Sequence, residues 1–265
     1  MSKNKKYKYS FFVILCISLF GAGLMVGFSY ANNNPLIRDD KLYNTTITNI
    51  IYKSTNEINK GPSKSVGKVA YITIDDGPSK YTNEILNVLN KYNARATFFM
   101  IDSNMKSYPN EVKAIIENGN TPGFHSVSHD IHKLYKTSKS AKEEFDINKQ
   151  TLLDLVGVES NIVRLPYGSK PYTPYECYES LVEAGYKMWD WDIDTEDWKV
   201  NSEKVLENVK TYSRGKDNIV ILMHERKQTA NSLDSILSYL SNEGYIFVPI
   251  EEDETPQNYW LRNLK

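Results

Sequence analysis

From residue 69 onward, short apolar runs alternate with longer segments whose apolar residues recur every three or four positions. The runs "VAYITI", "ATFFMI", "TPGFHS", "NIVRLP", "YKMWDWDI", "NIVILMH" and "YIFVPI" have the length and composition of buried strands. Between them lie "YTNEILNVLNKY", "YPNEVKAIIENG", "KSAKEEFDINKQTLLDLVG", "TPYECYESLVEAG", "NSEKVLENVKTYSRG" and "SLDSILSYLSNEG". These have helical spacing, and most close on a glycine. Strand and helix alternating about seven times predicts a parallel α/β architecture. The count fits an eight-stranded barrel short by one strand, or a doubly wound sheet. Both place functional groups at the C-terminal ends of the strands.

The upstream pattern is different. Residues 32–66 are polar and turn-rich ("ANNNP", "NKGPSKSVG"), with one weak amphipathic stretch through Ile47, Ile50, Ile51 and Ile58, and read as a stalk or linker. Before them, the uncharged run Phe11–Ala31 follows Lys3, Lys5, Lys6 and Lys8. Its 21 residues could cross a bilayer as a helix of ~30 Å. Lysines before the run and no matching cluster just after it predict a cytoplasmic N-terminus and an exported remainder. An uncleaved anchor fits the length better than a signal peptide, although Ser29-Tyr30-Ala31 resembles a small-x-small cleavage site. The expected organisation is a basic tail plus anchor or signal peptide over 1–31, a stalk over 32–66 and a catalytic domain over 67–265. The catalytic domain is expected outside the cell membrane, single-pass if anchored and secreted if cleaved.

Composition narrows the partners. A 40% apolar chain of 265 residues can bury a real core, and a formal net charge of −1 gives no reason to expect nucleic acid. No protein partner is evident. Cys16 falls in the apolar run, which leaves Cys177 without an intradomain partner and excludes disulfides and cysteine metal sites.

Polar residues cluster where strands should end. Asp75 and Asp76 close "YITIDDGP"; one could cap a helix and the other occupy a turn, or the pair could divide two chemical jobs. His125 and His129 in "GFHSVSHD" stand four apart, close enough for one metal if the segment turns helically after the strand. The alternative is a chance pairing on a surface turn, and His132 reads as a surface residue. Arg164 ends an apolar strand in "RLPYGS" and needs a carboxylate partner, either for the fold or to orient an active-site acid. The turn at Pro166-Tyr167-Gly168 could present a backbone N–H to an oxyanion. In "WDWDIDTEDW", Asp190, Asp192 and Asp194 alternate with Trp189, Trp191 and Ile193, so a single strand would have one acidic and one apolar face. Trp198 could stack on a sugar or simply pack. His224, ending "IVILMH", is structural or a general acid.

Taken together, "TIDDGP", "HSVSH", "RLPYG", "DTEDW" and "ILMH", in that order, resemble the polysaccharide deacetylase family, the NodB-homology domain of carbohydrate esterase family 4. The resemblance covers roughly Lys68 to Ile250. It implies a deformed (β/α) barrel of about seven parallel strands with a divalent metal at its C-terminal rim, usually Zn2+, with Co2+ or another divalent ion as alternatives. It implies Asp75 as general base, Asp76, His125 and His129 as metal ligands, and Arg164 as the residue that positions the base. It also implies Tyr167 as oxyanion donor, Asp197 orienting the general acid His224, and Trp198 and Met223 lining a sugar pocket with Tyr167. The implied activity is hydrolytic removal of N-acetyl groups from a cell-wall polysaccharide, N-acetylglucosamine of peptidoglycan first. N-acetylmuramic acid, an exopolysaccharide, chitooligosaccharide or O-acetyl xylan are alternatives, and an inactive glycan-binding domain is a further one. Three departures stand out: Phe124 before the first histidine, Glu225 where Asp is common after His224, and the Pro/Tyr-rich "PYGSKPYTPYE" loop.

Overall fold

The structure, a computed structural model, describes residues 67–264. The apolar run Phe11–Ala31 and the stalk therefore lie outside the described residues. Among the described residues no helix is long and apolar enough to cross a membrane.

The strands are β1 (Lys68–Gly77), β2 (Ala96–Met100), β3 (Thr121–Phe124), β4 (Ile162–Val163), β5 (Lys187–Met188), β6 (Ile193–Asp194), β7 (Asn218–His224) and β8 (Tyr245–Phe247). The helices are α1 (Thr82–Lys91), α2 (Asp102–Ser107), α3 (Pro109–Glu117), α4 (Ile131–Leu134), α5 (Ser140–Val156), α6 (Tyr175–Glu183), α7 (Ser202–Tyr212) and α8 (Lys227–Asn242). All strand pairings are parallel, in the order β5-β4-β3-β2-β1-β7-β6. β8 pairs with Lys68–Ala70 of β1, on the edge that β2 takes over from Ile72.

This order forces the sheet to curl. β5 and β6 are its two ends, yet only residues 189–192 separate them. Five Cα steps reach at most ~18 Å, whereas the ends of a flat seven-strand sheet would stand ~29 Å apart. The result is an open, deformed barrel, as the resemblance implied. Its seam is crossed by the C-terminal segment: Asp190 N–H donates to Gln257 O at 2.8 Å, and Asn258 Nδ2 donates to Met188 O at 3.0 Å. The segment "YKMWDWDI" is thus two edge strands rather than one. Each finds its partners on a different neighbour, β4 or β7, and this breaks the expected acidic and apolar faces. Asp190 is buried.

Curling buries both faces of β1. Tyr71, Phe99, Ile162, Trp189, Val220 and Ile250 form an inner cluster, while Ala70, Ile72, Ile74, Phe98, Ile219, Ile221 and Met223 join the cluster packed with the helices. Side-chain alternation therefore sends Thr73 and Asp75, with their β7 partners Leu222 and His224, to the inside. Met223 points the other way and is fully buried, which takes it away from the open rim and corrects its expected place in a sugar pocket.

The interior is packed closely enough that β3 must carry a glycine. A Cβ on Gly123 would lie 2.7 Å from Phe99 Cδ1 and 3.2 Å from Ile162 O. Gly123→Ala should therefore lower unfolding stability by about 1–3 kcal/mol in urea titrations. Adding Phe99→Leu should recover part of that loss.

Candidate active site

The rim is organised around a guanidinium with no solvent exposure. Arg164 follows β4, and its backbone N–H donates to Phe124 O at 2.9 Å. Its Nη1 donates to Thr73 Oγ1 at 2.6 Å and to Asp75 Oδ1 at 2.9 Å. Its Nε donates to Trp189 O at 2.9 Å and its Nη2 to Asp190 O at 3.0 Å. The group also stacks 4.2 Å from the Phe99 ring centroid. A buried guanidinium is tolerated only when its N–H donors and its charge are satisfied, and here the counter-charge is Asp75.

Asp75 and Asp76 do not simply alternate. Strict alternation would turn Asp76 behind the sheet towards the helices. Instead, the β1–β2 register shifts between Asp75 and Gly77, and Asp76 adopts a left-handed φ of 69°. The bulge brings Asp76 round to the same side, with Oδ1 3.7 Å from His125 Nε2 and 3.5 Å from His129 Nε2. Asp75 Oδ2 is 3.6 Å from His125 Nε2. Asn104 Nδ2 donates to Asp76 O at 2.7 Å and fixes the bulge.

The two histidines do not share a helical turn. Ser126 and His129 have left-handed φ values of 70° and 49°, so the segment is a tight loop. Glu144, on α5, accepts from Val127 N–H at 2.9 Å, Ser128 N–H at 2.8 Å and Ser128 Oγ at 2.7 Å, while His129 N–H donates to Ser126 Oγ. His125 Nδ1 must donate to Arg164 O, 2.8 Å away, because a carbonyl can only accept. In the neutral ring this leaves the Nε2 lone pair facing Asp76. Burial and the neighbouring His125 push the His129 pKa down, against the pull of Asp76 and Asp75, which favours the neutral imidazole. Asp76, His125 and His129 each offer one donor atom, all within 4.8 Å of one another. Asp76 Oδ1 is buried with no hydrogen-bond partner. An orphaned carboxylate oxygen between two imidazole nitrogens fits a divalent cation. His132 lies exposed, outside this set, with its N–H capped by Asp130.

On the other side of β1, His224 pairs in register with Asp75. Asp197 is fully buried, accepts from His224 N–H and Nδ1, each at 2.7 Å, and also takes a bond from Thr229 Oγ1. Burial pulls the His224 pKa down, but the hydrogen bond and charge of Asp197, with Asp75 and Asp76 further off, outweigh it and leave the pKa above that of an ordinary histidine. Tyr167, with φ 65°, is 55% exposed and sets its ring 5.1 Å from that of His129. Its N–H makes no hydrogen bond among the described residues. Trp198 is 52% exposed, with Lys199 over its ring.

Three acids beneath the rim have partners that the local sequence pattern does not indicate. Glu144 is one. Asp190 is a second: it accepts from Ser169 N–H and Tyr259 N–H, both at 2.8 Å, and from Ser169 Oγ, so it ties the loop after Arg164 to the C-terminal segment. Glu225 is the third. It accepts from Ser79 Oγ at 2.7 Å and Thr82 Oγ1 at 2.8 Å, and packs so closely under Gly77 that a Cβ there would collide with it. Burial, only partly offset by those hydroxyls, pushes the Glu225 pKa up to about 7.

The sequence profile of the polysaccharide deacetylase family matches residues 63–189. A peptidoglycan-N-acetylglucosamine deacetylase of Bacillus cereus is 38% identical over 78% of this chain and 80% of its own length. The chain belongs to the polysaccharide deacetylase family. YheN of Bacillus subtilis is 34% identical over 94% of this chain and 93% of its own length. The crystal structure of the polysaccharide deacetylase Bc1974 from Bacillus cereus superposes with a TM-score of 0.70, at 38% identity, over 74% of this chain and 98% of that one.

Glu144→Ala should free the loop that carries His129. We expect Zn2+ affinity, measured by competition with a chelator, to fall roughly 10–100-fold with the overall fold retained.

Proposed function

We propose that this polysaccharide deacetylase removes N-acetyl groups from N-acetylglucosamine of peptidoglycan with the help of a divalent ion. The observation that carries this reading is the convergence of Asp76 Oδ1, His125 Nε2 and His129 Nε2 beside an Asp75 held by Arg164. The substrate is supported by the name of the Bacillus cereus relative. We further propose that residues 1–31 anchor the chain, with 32–66 as stalk and the catalytic domain from 67 on the outer face of the cell membrane. The lysine-flanked apolar run supports this arrangement.

Asp76, His125 and His129 would hold the ion. When bound, it would polarise the acetyl carbonyl and make a water more acidic. Asp75, held in place by its bond to Arg164, takes the proton of the attacking water. The Tyr167 N–H donates to the oxygen that gains negative charge as the carbonyl carbon becomes tetrahedral. His224, its Nδ1 committed to Asp197, presents Nε2 and delivers a proton to the amide nitrogen as the carbon–nitrogen bond breaks. An amide nitrogen leaves poorly unprotonated, and such acid–base groups typically contribute about 10²–10⁴-fold. Acetate and a free amine result. Trp198 and Tyr167 offer rings to the sugar. Met223 is left out, since it faces the helices.

Zn2+-loaded protein should release acetate from peptidoglycan. Mass spectrometry of digested walls separates N-acetylglucosamine from N-acetylmuramic acid as the site of loss, and N-acetyl or O-acetyl oligosaccharides test the other substrates. No metal-dependent acetate from any acetylated glycan would reject the enzyme reading in favour of a binding domain. Asp76→Ala should lose the metal, whereas Asp75→Asn should keep it and lose turnover.

The pH dependence has a definite sign. His224 must be protonated to act, so the rate should fall as pH rises through its pKa, which is raised above 6.5. Asp197→Asn removes a charge that raises it and should move that fall to lower pH, read from kcat–pH profiles.

A further inference from the structure

The loop between Arg164 and α6 is pinned on both sides of one uncovered ring. Ser169 gives its N–H and hydroxyl to Asp190, and its carbonyl accepts from Trp260 Nε1 at 2.9 Å. Lys170 Nζ lies 4.0 Å from the Trp260 ring centroid. Thr173 is buried and donates to the Tyr135 hydroxyl at 2.8 Å. Tyr172, between these anchors, is 50% exposed, and its hydroxyl makes no hydrogen bond among the described residues. Its ring meets that of Tyr167 at 6.0 Å in an edge-to-face arrangement, and Tyr167 in turn meets His129 at 5.1 Å. Tyr172 is thus the next aromatic outward from the histidines along one wall of the site.

An apolar ring held out on a fixed backbone suits ligand binding, because little conformational entropy remains to be lost when it is covered. The C–H face of a sugar is apolar and neutral, and stacks on such rings without needing a charged partner. We propose that Tyr172, with Tyr167, forms a stacking subsite for the sugar next to the one that loses its acetyl group, so that the protein prefers an oligomeric or polymeric glycan to a short one. This rests on the deacetylase reading, and it takes that reading further by assigning chain-length selection to a residue outside the five motifs.

The test uses the Zn2+-loaded full chain with N-acetylglucosamine oligomers of two to six units. In the unmodified protein kcat/KM should rise with length. Tyr172→Ala should reduce the ratio of six-unit to two-unit kcat/KM by about three- to tenfold, through KM, and Tyr172→Trp should preserve it. Calorimetric binding of the six-unit oligomer to Asp75→Asn protein should weaken by the same factor when Tyr172→Ala is added. A length ratio unaffected by Tyr172→Ala, or an equal loss on all lengths, would overturn the subsite. If no oligomer yields acetate, the binding measurement still decides: weaker binding without Tyr172 keeps the subsite while the deacetylase reading fails, and unaltered binding removes the subsite too.

Discussion

The buried pair of Arg164 and Asp75 is the constraint on which the site depends. A guanidinium with no exposure would be ruinous unless every surrounding element turned a partner towards it. β1 supplies Thr73 and Asp75, the connection between β5 and β6 supplies two carbonyls, and β2 supplies the face of Phe99. The Arg164 carbonyl fixes the tautomer of His125. One side chain therefore couples closure of the sheet, the placement of Asp75 and the orientation of a histidine. Replacing the pair with apolar residues could preserve a core, but it would discard all three.

The same economy runs through the neighbouring acids. Asp197 holds His224 as Asp75 is held by Arg164, and each does so from inside the protein, where the partner's charge is poorly screened. Asp76 is the exception, since its Oδ1 is left without a hydrogen bond. The contrast in hydrogen bonding sets the two carboxylates apart, although they are adjacent in the chain. A β-bulge and one left-handed residue are enough to send both to one side.

How much of this was legible beforehand depended on the range of the interaction. The alternation of runs and helical segments placed most strands, and the rim residues Asp75, His125, Arg164 and His224 announced themselves as polar groups ending apolar runs. What failed was anything set by partners distant in sequence. "YKMWDWDI" has the pattern of one strand, and only the curl, which separates its halves onto β4 and β7, makes it two. Met223 sits beside a site residue in sequence but on the opposite face of β7, as strand alternation requires. Glu144 carries no local signal at all, because its role lies in N–H groups sixteen and seventeen residues away. Glu225 could be noticed as a departure, but its place beneath Gly77 could not be read from the chain.

The division of labour between Asp75 and Asp76 is the central claim, and a crystal structure of the Zn2+-loaded protein with anomalous data at the zinc edge tests it most directly. The account predicts zinc held by Asp76, His125 and His129, with Asp75 still bonded to Arg164. Zinc bonded by Asp75 with Arg164 displaced, or located away from the two histidines, would contradict it.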